Sequence, residues 1–192
     1  MNLPTKLTVL RIVLIPVFVA LYFVKFPFNG IAAVAVFMIA CFTDFLDGHL
    51  ARKWNQVTTL GKFLDPIADK IVVIAAMIML VEFGHLPAWI PIIVIFREFI
   101  VSGYRLVAVQ KDGNVIAANV WGKLKTVTQM IAVILAFLDP NPYATIFNGN
   151  LSGYNFIINL LVTLIMSVSV VATIFSGWEY VKNGKELFKG SM

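Results

Sequence analysis

Apolar residues run through this chain in long blocks. They occupy residues 7–24, 31–52, 61–83, 88–110, 121–138 and 156–181, with short polar stretches between them. Each block is close to the ~20 residues a helix needs to cross a bilayer. The pattern predicts six transmembrane helices in one bundle. Only GHLP separates the third block from the fourth, which predicts a tight hairpin. Asn and Pro cluster at 139–143, and a Gly- and Asn-rich loop continues to Asn155. The second block differs from the others, because it runs past Asp44 into polar residues toward Arg52.

Composition agrees with a membrane chain. Of 192 residues, 60% are hydrophobic and 13% charged, with a mean hydropathy of +0.89. Soluble domains average about 45–50% apolar and about 25% charged. The length suits a single domain over residues 1–192. No small-x-small cleavage site follows the first block, so it reads as a retained span. Cys41 is the lone cysteine and has no partner for an internal disulfide.

Charge sets the orientation. Lys6, Arg11, Arg52, Lys53, Lys62, Arg105, Lys111, Lys123, Lys125, Lys182, Lys185 and Lys189 fall at one membrane side under the six-span reading, and Lys25 stands alone at the other. The positive-inside rule places both termini in the cytoplasm. The net charge of +5 then reflects topology and anionic headgroups, not nucleic acid. The expected class is an all-α integral protein of the plasma membrane.

Four aspartates break the apolar pattern. Asp44 and Asp47 are three residues apart, and Asp65 and Asp69 four apart. Each spacing puts two carboxylates on one helix face. The segment 53–60 is polar enough to turn between them, so an antiparallel pair can aim all four at one centre. Unpaired, they would repel and take up protons. Mg²⁺ or Mn²⁺ removes that penalty, because hard cations prefer carboxylate oxygens. Gly48, Ala51 and Gly61 clear the same stripes, letting a ligand approach the backbone. Small residues on membrane helices usually serve packing alone; beside four acids they gain a second meaning. Arg52, one turn beyond Gly48, suits a phosphate. Together these residues suggest a nucleotide diphosphate. His49 fits neither acidic stripe and reads as a headgroup contact, and His85 carries no assigned chemistry.

These residues resemble the signature of the CDP-alcohol phosphatidyltransferase family, D-x-x-D-G-x-x-A-R, eight residues, G-x-x-x-D-x-x-x-D. Asp44, Asp47, Gly48, Ala51, Arg52, Gly61, Asp65 and Asp69 match it without departure. The resemblance implies a six-span fold, usually a homodimer, and transfer of a phosphatidyl group from CDP-diacylglycerol to an alcohol with release of CMP. It implies two Mg²⁺ or Mn²⁺ ions held mainly by Asp44, Asp47 and Asp65. Asp69 becomes the general base and also touches a metal. Gly48, Ala51, Arg52 and Gly61 shape the cytidine and diphosphate pocket.

NLPTKLTVLRIVLIPVF at the start, and REFIVSGYRLVA with GKLKTVTQM further on, resemble the branch of the family whose acceptor is glycerol 3-phosphate. The basic residues fit a phosphorylated acceptor. Arg105, Lys123 and Lys125 lie toward the predicted cytoplasmic side. Lys123 and Lys125 are about 200° apart on one helix and need not share a target. Arg97 stands inside the fourth block beside Glu98, and an intramembrane Arg is paired or functional. Thr5, with Asn2, Pro4 and Thr8, resembles the leading segment of that branch and is expected to cover the site as an interfacial lid. The tail WEYVKNGKELFKG is expected to anchor at the headgroup interface. Other readings remain at this point: an acceptor such as inositol phosphate or serine, a divalent-cation transporter, or a non-catalytic lipid-binding scaffold.

Overall fold

A computed structural model describes the backbone of residues 3–24, 29–54, 59–112, 120–149 and 151–188, and side chains over 6–24, 30–44, 64–108, 120–149 and 151–182. The described residues form six α-helices: α1 (Leu3–Phe23), α2 (Asn29–Trp54), α3 (Thr59–Glu82), α4 (Trp89–Asp112), α5 (Val120–Leu138) and α6 (Gly153–Phe188). They match the six apolar blocks in order. Among the described residues three stretches are long and apolar enough to cross a membrane: Lys6–Phe23, Val120–Leu138 and Gly153–Lys182. The others are interrupted by charge, at Asp44 and Asp47 in α2, Asp65, Asp69 and Lys70 in α3, and Arg97, Glu98 and Arg105 in α4.

The chain divides into two compact units, Met1–Phe83 and Gly84–Met192. In the first, α1 packs on both α2 and α3. One face of α1 carries buried Thr8, Arg11 and Phe18. Its aromatic end meets Phe37 of α2, with ring centroids 5.9 Å apart, and Tyr22 lies 4.4 Å from the Phe83 ring. On α2, Ala33, Phe37 and Ala40 are buried at helical spacing, and Asp44 is the next position on that stripe. On α3, Ala68, Val72 and Ala76 are buried likewise, and Asp65 precedes them on the same face. The apolar stripes of both helices therefore run straight into an aspartate.

In the second unit, α6 packs along α5 and α4. Its 36 residues span about 54 Å at 1.5 Å per residue, well over a hydrocarbon thickness of ~30 Å. Small polar residues Ser169, Thr173 and Ser176 are buried on it, which lets neighbouring helices approach closely. The Asn- and Pro-rich segment is more ordered than a plain loop. It contains a short 3-10 turn, Thr145–Phe147, preceded by Ala144 at φ 63°. Asn159, fully buried, clamps it by donating to Asp139 Oδ2 (2.7 Å) and the Pro142 carbonyl (2.9 Å), and accepting from Ile146 N–H (3.0 Å). Asp139 also accepts from the Asn141 backbone and side chain. A buried carboxylate needs such donors to offset its desolvation.

Candidate active site

All eight signature positions lie on helix, in α2 and α3. The i, i+3 and i, i+4 spacings therefore translate into shared faces, as the sequence predicts. Pro66 lies within α3 and denies the Lys62 carbonyl its helical donor beside Asp65.

Two acids have partners on α1. Arg11 NH1 lies 2.6 Å from Asp44 Oδ1, with the guanidinium 1% exposed and the carboxylate 38%. Thr8 Oγ1 donates to Asp65 Oδ1 at 2.6 Å. Asp69 sits one turn further along α3 and is exposed. The side chains of Asp47, Ala51 and Arg52, and the surroundings of Gly48 and Gly61, lie outside the described residues, as does the Thr5 side chain. Among the described residues no three Asp, Glu, His or Cys side chains draw together; Asp47, the fourth acid, is not one of them. The donor chemistry suits a hard divalent cation, because the acids offer carboxylate oxygens only; Arg11 and Thr8 meet Asp44 and Asp65 at Oδ1.

Arg11 departs from its expected role. The sequence counts it with the orientation charges, yet it is buried against Asp44. Thr8, expected in an interfacial lid, is buried too. A signal was present: an Arg inside the first apolar block, with a Thr one turn earlier, needs a partner.

The basic residues of the second unit form their own cluster. Arg97 NH1 and Lys125 Nζ both reach Glu98 Oε1 at 2.6 Å. Arg97 NH2 donates to Ser176 Oγ at 2.6 Å, and Arg105 NH2 to Tyr180 OH at 2.9 Å. The Tyr180 ring lies under both guanidinium groups, 5.9 Å from Arg97 Cζ and 5.7 Å from Arg105 Cζ. The Arg97 stem runs close to Gly177, where a Cβ would make ordinary van der Waals contact with Arg97 Cγ at 3.4 Å. The Nε–H donors of Arg97 and Arg105 are buried and meet no acceptor among the described residues. Two cations thus share one oxygen of Glu98, and Arg105 joins Arg97 through the Tyr180 ring.

Arg97 is accordingly paired with an acid, and Arg97, Arg105 and Lys125 come together. Lys123 does not join them: it is exposed, whereas Lys125 is buried, as their angular separation predicts. Sequence reasoning missed Ser176 and Tyr180. Tyr180 belongs to the tail expected at the headgroup interface, but it is buried under the arginines; Trp178, two residues earlier, is exposed.

Comparison with known proteins sets these features in context. The family model for CDP-alcohol phosphatidyltransferase matches residues 1–175. A Bacillus subtilis protein named CDP-diacylglycerol--glycerol-3-phosphate 3-phosphatidyltransferase is 42% identical, covering 99% of this chain and 98% of its own length. A Haemophilus influenzae protein of the same name is 37% identical over 96% and 94% of the two chains. One from Escherichia coli K12 is 40% identical over 73% and 79%. The unbroken acidic signature, the helical frame that carries it and the matches across nearly the whole length agree: the chain belongs to the CDP-alcohol phosphatidyltransferase family.

Proposed function

We propose that this protein transfers the phosphatidyl group of CDP-diacylglycerol to glycerol 3-phosphate, giving phosphatidylglycerol phosphate and CMP. The observation that carries this reading is the intact signature from Asp44 to Asp69 in a chain 42% identical, over 99% of its length, to a relative bearing that reaction's name.

Asp44, Asp47 and Asp65, with Asp69, would hold Mg²⁺ or Mn²⁺, two ions in all. Bound there, such cations neutralise charge on the diphosphate and favour in-line displacement. Gly48, Ala51, Arg52 and Gly61 line the cytidine and diphosphate end. Asp69 takes the proton from the attacking hydroxyl of glycerol 3-phosphate. The new bond forms to the lipid-side phosphorus, the bond to CMP breaks, and CMP carries away that electron pair. Arg97, Arg105 and Lys125 bind the acceptor phosphate; their net positive charge and unused Nε–H donors suit a dianion. Thr5 completes the acceptor end, and Lys123 adds to the local positive potential.

The full chain acts as one phosphatidyltransferase domain of six spans, works as a homodimer, and sits in the plasma membrane among its lipids. The charge segregation supports cytoplasmic termini and a cytoplasmic active site, where CDP-linked lipid and a water-soluble acceptor meet. The test is CMP release by purified protein with Mg²⁺ or Mn²⁺ across a panel of acceptors. Release only with glycerol 3-phosphate is expected. Release with serine or inositol phosphate, and none with glycerol 3-phosphate, reassigns the acceptor. Cation flux into liposomes without CMP formation points back to a transporter.

A further inference from the structure

Thr8 and Arg11 lie one turn apart on α1, and both side chains are essentially buried, at 0% and 1% exposure. One reaches across to α3 and the other to α2, and each ends on an acid of the signature. Asp44 and Asp65 come from different helices, and those helices contact each other far less than each contacts α1. Their relative placement therefore depends on the α1 face between them. The Thr8 hydrogen bond falls on Asp65 Oδ1, and the Arg11 ion pair meets Asp44 at Oδ1. Each contact restrains its carboxylate from the α1 side.

A Thr hydroxyl commonly bonds its own helix at the i−4 carbonyl, as Thr126 and Thr173 do. The Thr8 hydroxyl reaches a carboxylate 57 residues away on another helix. Arg11 has no need of burial to orient the chain, since an exposed end-of-helix Arg serves that purpose.

We propose that Thr8 and Arg11 are positioning residues for the divalent-metal site: they orient the carboxylates of Asp65 and Asp44 so that α2 and α3 present one ligand set. This rests on the metal assignment made above. Outer partners of metal ligands typically change metal affinity about 10–100-fold when removed. Arg11 also balances part of the acidic charge before the metal arrives.

The test is Mn²⁺ binding to purified, detergent-solubilised protein without nucleotide lipid, read from the electron paramagnetic resonance signal of free Mn²⁺, with thermal melting in parallel. Thr8→Val keeps the shape and deletes the donor; it is expected to weaken Mn²⁺ binding roughly tenfold or more. Thr8→Ser restores the hydroxyl and is expected to stay within about twofold of the parent. Arg11→Lys keeps the charge but loses the planar fork, and should also weaken binding; it carries the test if Thr8→Val does not fold. Parent-like Mn²⁺ affinity in Thr8→Val and Arg11→Lys, even with lowered melting temperatures, overturns the proposal and leaves both residues as packing elements. Absence of Mn²⁺ binding by the parent protein overturns the metal assignment itself, a result distinct from unchanged affinity.

Discussion

In the first unit, Asp44 and Asp65 each give one oxygen to a residue of α1. In the second, Arg97 and Lys125 converge on one oxygen of Glu98. The first arrangement separates two acids and supplies each with its own partner, while Asp69 is exposed beyond them. The second brings two cations onto one carboxylate oxygen. Neither is what stability alone would select, because buried charges are costly unless fully matched. An acid-rich end suits cations and a cation-rich cluster suits an anion, which is the division of labour the proposed function requires.

The largest effect should come from the exposed acid. Asp69→Asn keeps the size and helix of the site and removes the proposed base. Turnover is expected to fall by about 10²–10⁴-fold, the usual worth of general-base catalysis, while binding of CDP-diacylglycerol is largely kept. CMP release and a separate lipid-nucleotide binding measurement check the two halves. Turnover near that of the parent would remove Asp69 from proton transfer and bring back the scaffold reading.

Glu98→Gln tests the opposite region. It leaves Arg97 and Lys125 facing a neutral amide while both side chains stay largely buried. Breaking a buried pair by removing one partner costs about 3–5 kcal/mol, so thermal melting in detergent should drop clearly. The Michaelis constant for glycerol 3-phosphate should not rise, because the cations remain. A raised constant with unchanged melting would mean that Glu98 itself meets the acceptor.

Much of this was legible in the chain because it is local. Each of the six α-helices follows an apolar block, and among the described residues three of them hold a stretch long and apolar enough to cross a membrane. The acidic signature is equally local: eight positions within 26 residues, read through helical periodicity. What stayed hidden joins distant segments. Arg11 and Asp44 are 33 residues apart in the chain, and charge counting gave Arg11 an orientation without a partner. Tyr180 lies 75 residues from Arg105, in a stretch whose Trp and Lys neighbours suggest an interfacial anchor. Aromatic composition cannot tell a ring that faces lipid from one that faces a guanidinium. The Asn159 clamp was hidden for a similar reason, since Asn and Gly mark a loop but not the helix residue that holds it.

Lys125→Ala sharpens the comparison with less damage. Glu98 keeps Arg97 as partner, so no acid is stranded and melting should change little. On the proposed role of Lys125, the loss falls on the acceptor. A charge-assisted hydrogen bond is worth about 1.5–3 kcal/mol, so the Michaelis constant for glycerol 3-phosphate should rise roughly 10–100-fold with a smaller change in turnover. Glu98→Gln and Lys125→Ala thus move stability and acceptor binding in complementary ways. If both variants changed stability alone, the cluster would be structural.

The smallest effect belongs to Lys123, two residues from Lys125 on α5 but exposed. It shares the sign and chain neighbourhood of Lys125 and differs in burial and direction. Lys123→Ala should shift the acceptor's Michaelis constant by less than about twofold, because exposed charges are screened by water and salt. That small shift should vanish as ionic strength rises, whereas the Lys125→Ala effect should persist, being set by a buried contact. Saturation curves for both variants at low and high salt make the distinction. A salt-resistant loss in Lys123→Ala equal to that in Lys125→Ala would show that the acceptor draws on both faces of α5, and burial would no longer separate the two lysines.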